Sequence, residues 1–387
     1  MGRNLLTAFL TVIGIFAVIV YLGLARERNF QALITRGDQA LDREQVSLAI
    51  ESYSGALALN PESMLAYLKR GETYLENGEF SAALRDLLTA TELNPDDTRT
   101  HERLGDVTFA LGHYREAVTH YSHYIEFDDQ TPRVLYKLAL ASERDGRVAY
   151  SIPLLRRAIS LDSNFSEAHY LLGLCLTEQG RTGEARDAML ATLELSPGFL
   201  NAREALVAIY SDLGRPDESL AQLDALLLLD QENPERHLAK GLAHLRLGKS
   251  ERALDALQRG IDADPDNPRL IIALGETWLS LAETDPRDLA LAKALQLLGN
   301  IPSANASSAT LTALGRALSL SGDIEGASRA FRDATQRFPL EPKAFLYLAE
   351  QAENENDREL ANRHKATYET LVEWTKIPKH RTALPSG

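Results

Sequence analysis

The chain has 387 residues, 44% of them hydrophobic and 25% charged, with 24 Gly and 15 Pro, which is a folding composition and excludes a disordered or collagen-like chain. A net charge of −14 argues against general nucleic-acid binding, which needs Lys and Arg to displace counterions from phosphates, and against adsorption of the folded part to anionic lipid. The single cysteine, Cys175, excludes an internal disulfide, a four-cysteine zinc site and an iron–sulfur cluster.

The first element is apolar. Leu5 to Leu24 (LLTAFLTVIGIFAVIVYLGL) carries no charged residue. Its twenty residues, at about 1.5 Å each, match a hydrocarbon core about 30 Å thick. Arg3 precedes it, Arg26 and Arg28 follow, and Tyr21 stands near the far end, where an amphipathic ring suits the interface. Residues 1–27 are therefore predicted to form a transmembrane anchor. The competing expectation is a cleaved signal peptide, with Gly23 and Ala25 as small residues before the cut, although typical signal cores run only about 7–15 residues. Basic residues nearly balance across the segment: Arg3 and the amine on one side, Arg26, Arg28 and Arg36 on the other. The short charged N-terminal flank favours a main body outside the cytoplasmic face. With the anchor layout and the high Arg content, this predicts a single-pass protein of a bacterial inner membrane, its body on the periplasmic or outer side.

From residue 28 onward the chain repeats. Counting in steps of 34 from Gly37 gives Gly71, Gly105, Ala139, Gly173, Val207, Gly241 and Gly275, and after an interruption Gly315 and Ala349. Twelve residues behind runs Ala49, Ala83, Ala117, Ser151, Ala185, Ser219, Ala253, Ala327 and Ala361. Pro61, Pro95, Pro197, Pro265 and Pro339 close repeats. In the second repeat, Met64, Tyr67, Leu68, Tyr74 and Leu75 fall at helical spacing, Asn77–Gly78 breaks the run, and Ala82, Ala83, Leu84, Leu87, Leu88 and Ala90 form a second stripe. Each repeat is thus two antiparallel helices whose small residues permit close approach. Pro153 inside the fourth repeat predicts a late start or a kink. Forty residues separate Gly275 from Gly315, so 276–308 is irregular, with Glu283–Asp288 as the insertion and Ser303–Ser308 as a loose connector. A polar helix over 357–374 is predicted to cap the array, and 376–387 to form a tail.

This pattern resembles the tetratricopeptide repeat, through Tyr67, Gly71, Tyr74, Ala83, Leu87, Ala90 and Pro95 in the second repeat and Leu311, Leu314, Gly315, Ala327, Phe331, Ala334 and Pro339 in the ninth. The resemblance implies an all-α fold: a right-handed α-solenoid of about ten TPR-like helical hairpins over 28–375. It implies a non-enzymatic scaffold that docks proteins or peptides in a concave groove lined by the first helix of each hairpin. Carried over onto this chain, the groove positions are Asp38, Asp42, Leu68, Glu72, Glu76, Glu102, Asp106, Phe109, Tyr136 and Tyr170, with Ile34, Leu41, Leu65 and Leu75 beside them. In the first three repeats Arg99 is the one base among these positions, so the N-terminal part of the groove is predicted to be acidic and to favour a basic partner. Tyr136 and Tyr170 suit either recognition or inter-helix packing. The family's carboxylate clamp of Lys and Asn is missing, since Ile34 and Asp38, or Leu68 and Glu72, hold those positions. A membrane-anchored relative ends in a rubredoxin-like metal knuckle, and this chain lacks its cysteines.

Catalytic motifs are absent from the sequence: it has no Gly-rich phosphate loop, nucleophile elbow or HExxH. His113, Glu116, His120 and His123 could share a helix face, but no fourth metal ligand is evident, and solvated histidines are expected. Cys175, within LLGLCL, is expected to be a buried structural thiol. No cofactor is predicted. The expected system is envelope assembly, secretion or surface-polymer export. The alternatives are a cytoplasm-facing adaptor delivering clients to a membrane protease or chaperone, and a cleaved soluble binding protein.

Overall fold

The computed structural model describes residues 2–284, 288–301 and 306–376, with side chains over 13–283, 289–301 and 306–374. Among the described residues there are twenty helices and no strand. They pair in order. The first ten are α1 (Gly2–Leu41) with α2 (Val46–Leu59), α3 (Met64–Glu76) with α4 (Phe80–Leu93), α5 (Thr98–Ala110) with α6 (Tyr114–Phe127), α7 (Pro132–Arg144) with α8 (Val148–Leu161), and α9 (Ser166–Glu178) with α10 (Thr182–Leu195). The rest are α11 (Leu200–Asp212) with α12 (Pro216–Leu227), α13 (Pro234–Arg246) with α14 (Ser250–Ala263), α15 (Pro268–Thr284) with α16 (Asp288–Gly299), α17 (Ser308–Ser321) with α18 (Ile324–Ala334), and α19 (Pro342–Asn354) with α20 (Arg358–Lys376). The chain forms two compact units, Met1–Ala202 and Arg203–Gly387, each a stack of helical hairpins.

The 34-residue marks sit where the two helices of a hairpin come closest. Six of the glycines face the residue sixteen positions on: Gly37 meets Tyr53, Gly71 meets Leu87, Gly105 meets Tyr121, Gly173 meets Met189, Gly241 meets Leu257 and Gly315 meets Phe331, while Gly275, in the irregular repeat, meets Leu298. A β-carbon at Gly105 would lie 2.3 Å from the Tyr121 ring, so the large residue occupies the space glycine leaves. At two of the three exceptions in the series, Ala349 being the third, a different device appears. Where Ala139 and Val207 replace glycine, the Ala twelve residues later becomes Ser, and Ser151 and Ser219 donate to the Ala139 and Val207 carbonyls at 2.8 and 3.4 Å.

A second glycine series ends the first helices. Gly78, Gly112, Gly146, Gly180, Gly214 and Gly248 all have φ between 65° and 79°, the left-handed conformation that closes a helix and turns the chain back. After Gly78, for example, the Glu79 amide donates to the Tyr74 carbonyl.

Two local expectations are adjusted. The helix α8 begins at Val148, in register with α4 and α6, so Pro153 delays nothing. The amide it lacks would have bonded Ala149, which lies in the exposed first turn, where water serves the freed carbonyl. In the irregular repeat the extra residues partly extend a helix: α15 has 17 residues where α13 has 13. Residues 285–287 of the expected insertion, 303–305 of the expected connector and 377–387 of the expected tail lie outside the described residues.

The apolar N-terminal stretch belongs to α1, a single helix of 40 residues that continues into the first hairpin. Residues 5–12 of the expected span lie outside the described side chains. From Ile13 to Leu24 the large apolar side chains are exposed, whereas Phe30 and Ile34, further along, are buried against Ala49, Tyr53 and Ala56. Among the described residues no helix is long and apolar enough to cross a membrane.

Candidate functional site: the first-helix face

Within the first unit, successive first helices touch each other (α3 with α5, α7 with α9), while successive second helices meet weakly if at all among the described residues. The same holds for α13, α15, α17 and α19 in the second unit. First helices therefore crowd the inner side of each stack, and the face they share is the candidate docking surface.

In the first unit that face carries a ladder of ion pairs at the repeat period. The acid one residue after each mark reaches a base two residues before the next mark. Lys69 Nζ lies 2.7 Å from Asp38, Arg103 Nε 2.9 Å from Glu72, and Lys137 Nζ 2.6 Å from Asp106. Each pair spans 31 residues. Further bonds join the rungs: Arg99 to Glu72 at 2.7 Å, Arg103 to Asp106 at 3.1 Å, and Arg133 and Lys137 to Glu102, both at 2.8 Å. Tyr53 and Tyr121, the residues that fill the glycine gaps, donate their hydroxyls to Asp38 and Asp106 at 2.7 and 2.8 Å. Burial, together with these carboxylates, pushes both phenols far above their ordinary range. The small-residue seam and the ion-pair ladder are thus one connected network.

This corrects the expected electrostatics. Lys69, Arg99, Arg103, Arg133 and Lys137 pair with Asp38, Glu72, Glu102 and Asp106, so the face is not a bare acidic field. Lys69, Arg103 and Lys137 stand two residues before the marks, a position outside the carried-over set. Leu68 is also corrected. It is 3% exposed and packs with Ala83 and Leu87 in the core, as Ile34 packs with Tyr53. The position three before the mark points into the seam between helices. In the third repeat the same position holds Glu102, whose side chain is 9% exposed and paired. In the fourth and fifth it holds Tyr136 and Tyr170, half-buried against Phe165 and Phe199 with ring centroids 5.0 and 4.8 Å apart. The predicted residues open to solvent are Asp42 and Glu76; Phe109 is partly buried against Tyr114, edge to face at 5.3 Å.

Histidines have two settings. His101, His169 and His237, four residues before their marks, each approach with Nε2 the carbonyl six residues earlier: Pro95 at 2.8, Ser163 at 3.3 and Gln231 at 2.7 Å. They brace the connectors. His101 also stacks on His123 at 3.9 Å, with His120 at 5.7 Å. Burial, then the neighbouring His101 and His123, lower His120 to about 4, against a partly opposing Glu116. Among the described residues no cluster could hold a metal ion. Cys175 is buried, and burial pushes its thiol up to about 12.

The second unit repeats the bridging device through Arg236 to Glu204 at 2.8 Å, Arg269 to Glu235 at 2.6 Å and Arg316 to Glu283 at 2.5 Å. It also holds a cleft of about 730 Å³ lined by Ile261, Pro265, Pro268, Ile271, Leu297 and Ile301, beside Asp266 and Asn300. One carboxyl among aliphatic walls offers no acid–base pair.

A tandem array of paired helices on a 34-residue period is a tetratricopeptide architecture. The tetratricopeptide repeat model matches residues 34–98, 68–132, 102–164, 136–198 and 205–268, more than half of the length, and the chain belongs to that family. No curated protein matches it by sequence. Several solved structures are similar to the chain. The C-terminal part of a TPR repeat-containing protein from Cytophaga hutchinsonii is 16% identical, with a TM-score of 0.54, covering 62% of this chain and 99% of that one. MamA is 24% identical, with a TM-score of 0.41, covering 42% and 94%. YrrB, described as a TPR protein with an unusual peptide-binding site, is 21% identical, with a TM-score of 0.38, covering 58% and 98%.

Proposed function

We propose that this protein is a membrane-anchored, non-enzymatic scaffold that docks a protein or peptide on the first-helix face of its repeats. The tetratricopeptide family supports protein–protein interaction as the activity. The observation that carries the docking surface is the first-helix face itself: a row of crowded helices, stiffened by the ion-pair ladder, that still presents Glu76 and part of Phe109 to a partner, with Asp42 at the turn that closes α1. Two free carboxylates beside an apolar edge suit a partner segment with basic and apolar residues; the ladder acids are already matched. A rigid face lowers the ordering cost of binding.

The exposed apolar run from Ile13 to Leu24 supports the anchor, because a row of large aliphatic side chains in water is costly and in hydrocarbon is not. Confining the face to a membrane raises its effective concentration toward membrane partners. We place the repeats outside the cytoplasmic face of a bacterial inner membrane, in an assembly, secretion or surface-polymer system. Protease added to spheroplasts tests the orientation: digestion of the repeats agrees with it, and digestion only after lysis makes the cytoplasm-facing adaptor the better reading. The docking face is tested by Asp42→Lys with Glu76→Lys in the full chain. Partner co-purification is expected to fall at least tenfold with helicity unchanged; retention at full strength with the same salt dependence would remove these residues from the site.

A further inference from the structure

The anchor and the first repeat share one helix. Between Gly23 and Gly37 there is neither Gly nor Pro, and α1 runs unbroken through this stretch to Leu41. The exposed apolar run ends at Leu24, and the first core residue is Phe30, six residues or about 9 Å further along the axis. No swivel lies between them. The returning helix α2 ends beside the apolar run: Arg26 Nε donates to the Leu59 carbonyl at 2.5 Å, a bridge across 33 residues. Arg26 stands two residues past Leu24 and is itself exposed. The connector Asn60–Ser63, which follows Leu59 directly, is therefore level with the end of the apolar run, while the turn at Asp42–Gln45 lies at the other end of the fourteen-residue α2, about 21 Å away.

We infer that the first hairpin stands upright on the bilayer, with the Asn60–Ser63 connector and Arg26 in the lipid headgroup layer and the α1–α2 turn pointing away. This rests on the membrane reading above. The partner of this edge is the phosphate-bearing surface of the bilayer, which the exposed guanidinium of Arg26 and the neighbouring Arg28 suit in charge. A swinging tether would let the repeats sample all heights; an unbroken helix clipped at Leu59 holds the first-helix face at one height. A client reaching Asp42 and Glu76 must then present its segment at a fixed distance from the membrane.

The test uses the full chain in vesicles of phosphatidylethanolamine and phosphatidylglycerol containing a headgroup-linked quencher. A fluorophore is attached through Glu62→Cys or Arg43→Cys, both exposed positions; the buried native Cys175 stays unlabelled. Quenching at position 62 is expected to exceed that at position 43 at least threefold. Five Gly-Ser residues inserted between Ala25 and Arg26 should abolish the difference. Equal quenching in protein that floats with the vesicles would overturn the upright geometry and leave the anchor standing. A difference that survives the insertion would overturn helix continuity as its cause. Protein that fails to float would overturn the membrane reading and this inference with it.

Discussion

At Gly105 a single methyl group decides whether a hairpin closes. Its β-carbon would meet the Tyr121 ring at 2.3 Å, and that ring is fixed in turn by its hydrogen bond to Asp106. Gly105→Ala is expected to destabilise the chain by about 1–3 kcal/mol in urea unfolding, because the ring has no free direction in which to yield. Gly183, in the first turn of α10 with no atom within 4 Å of its added β-carbon, is the control. Gly183→Ala should be neutral or stabilise by about 0.5–1 kcal/mol. Cys175 gives a second residue-scale prediction. With its thiol pushed up to about 12, it should resist maleimide at pH 7 in the folded protein and react at the rate of a free thiol in denaturant. Both sites were legible in sequence, Gly105 from the 34-residue period and Cys175 from its place in the apolar run LLGLCL. The turn glycines with positive φ lie on the same grid, visible as a series from Gly78 to Gly248, yet a backbone angle leaves no mark that distinguishes them from seam glycines.

Between elements, the ladder makes neighbouring repeats depend on each other. Lys137 of α7 serves Glu102 and Asp106 of α5 together, and Glu102 is nearly buried. Lys137→Met should cost about 1 kcal/mol, less at high salt, and Asp106→Asn with it should cost less than the two separately. His120, packed beside His101 between α5 and α6, sets a pH dependence. The His120 pKa is near 4 folded and 6.5 in the free side chain, so the unfolded chain takes up its proton first. Stability is fully present above pH 6.5 and is lost as pH falls toward 4. Urea midpoints at pH 7 and pH 5 should differ by more in the wild type than in His120→Leu. The helices and their pairing were readable from periodicity, whereas the ladder was not, since its partners stand 31 residues apart and meet only after stacking. Leu68 shows the same limit: family position alone placed it in the groove, and packing against Leu87 places it in the core.

On the scale of the molecule, a stack of hairpins has no single core to lose. Within each unit, repeats lean on their neighbours, and the ladder distributes the coupling along the first unit. The first unit suits presentation of a face, and the unbroken α1 would tie that face to a surface. The central claim is that partners meet the first-helix side. Photocrosslinking of the full chain in its native cells tests it most directly, with a crosslinking residue placed in turn at Asp42, Glu76 and Phe109, and at the exposed second-helix residues Glu51, Leu88 and Thr119. The account predicts partner adducts at the first three positions and at least tenfold fewer at the second three. Adducts confined to the second-helix positions, or equal on both faces, would contradict it.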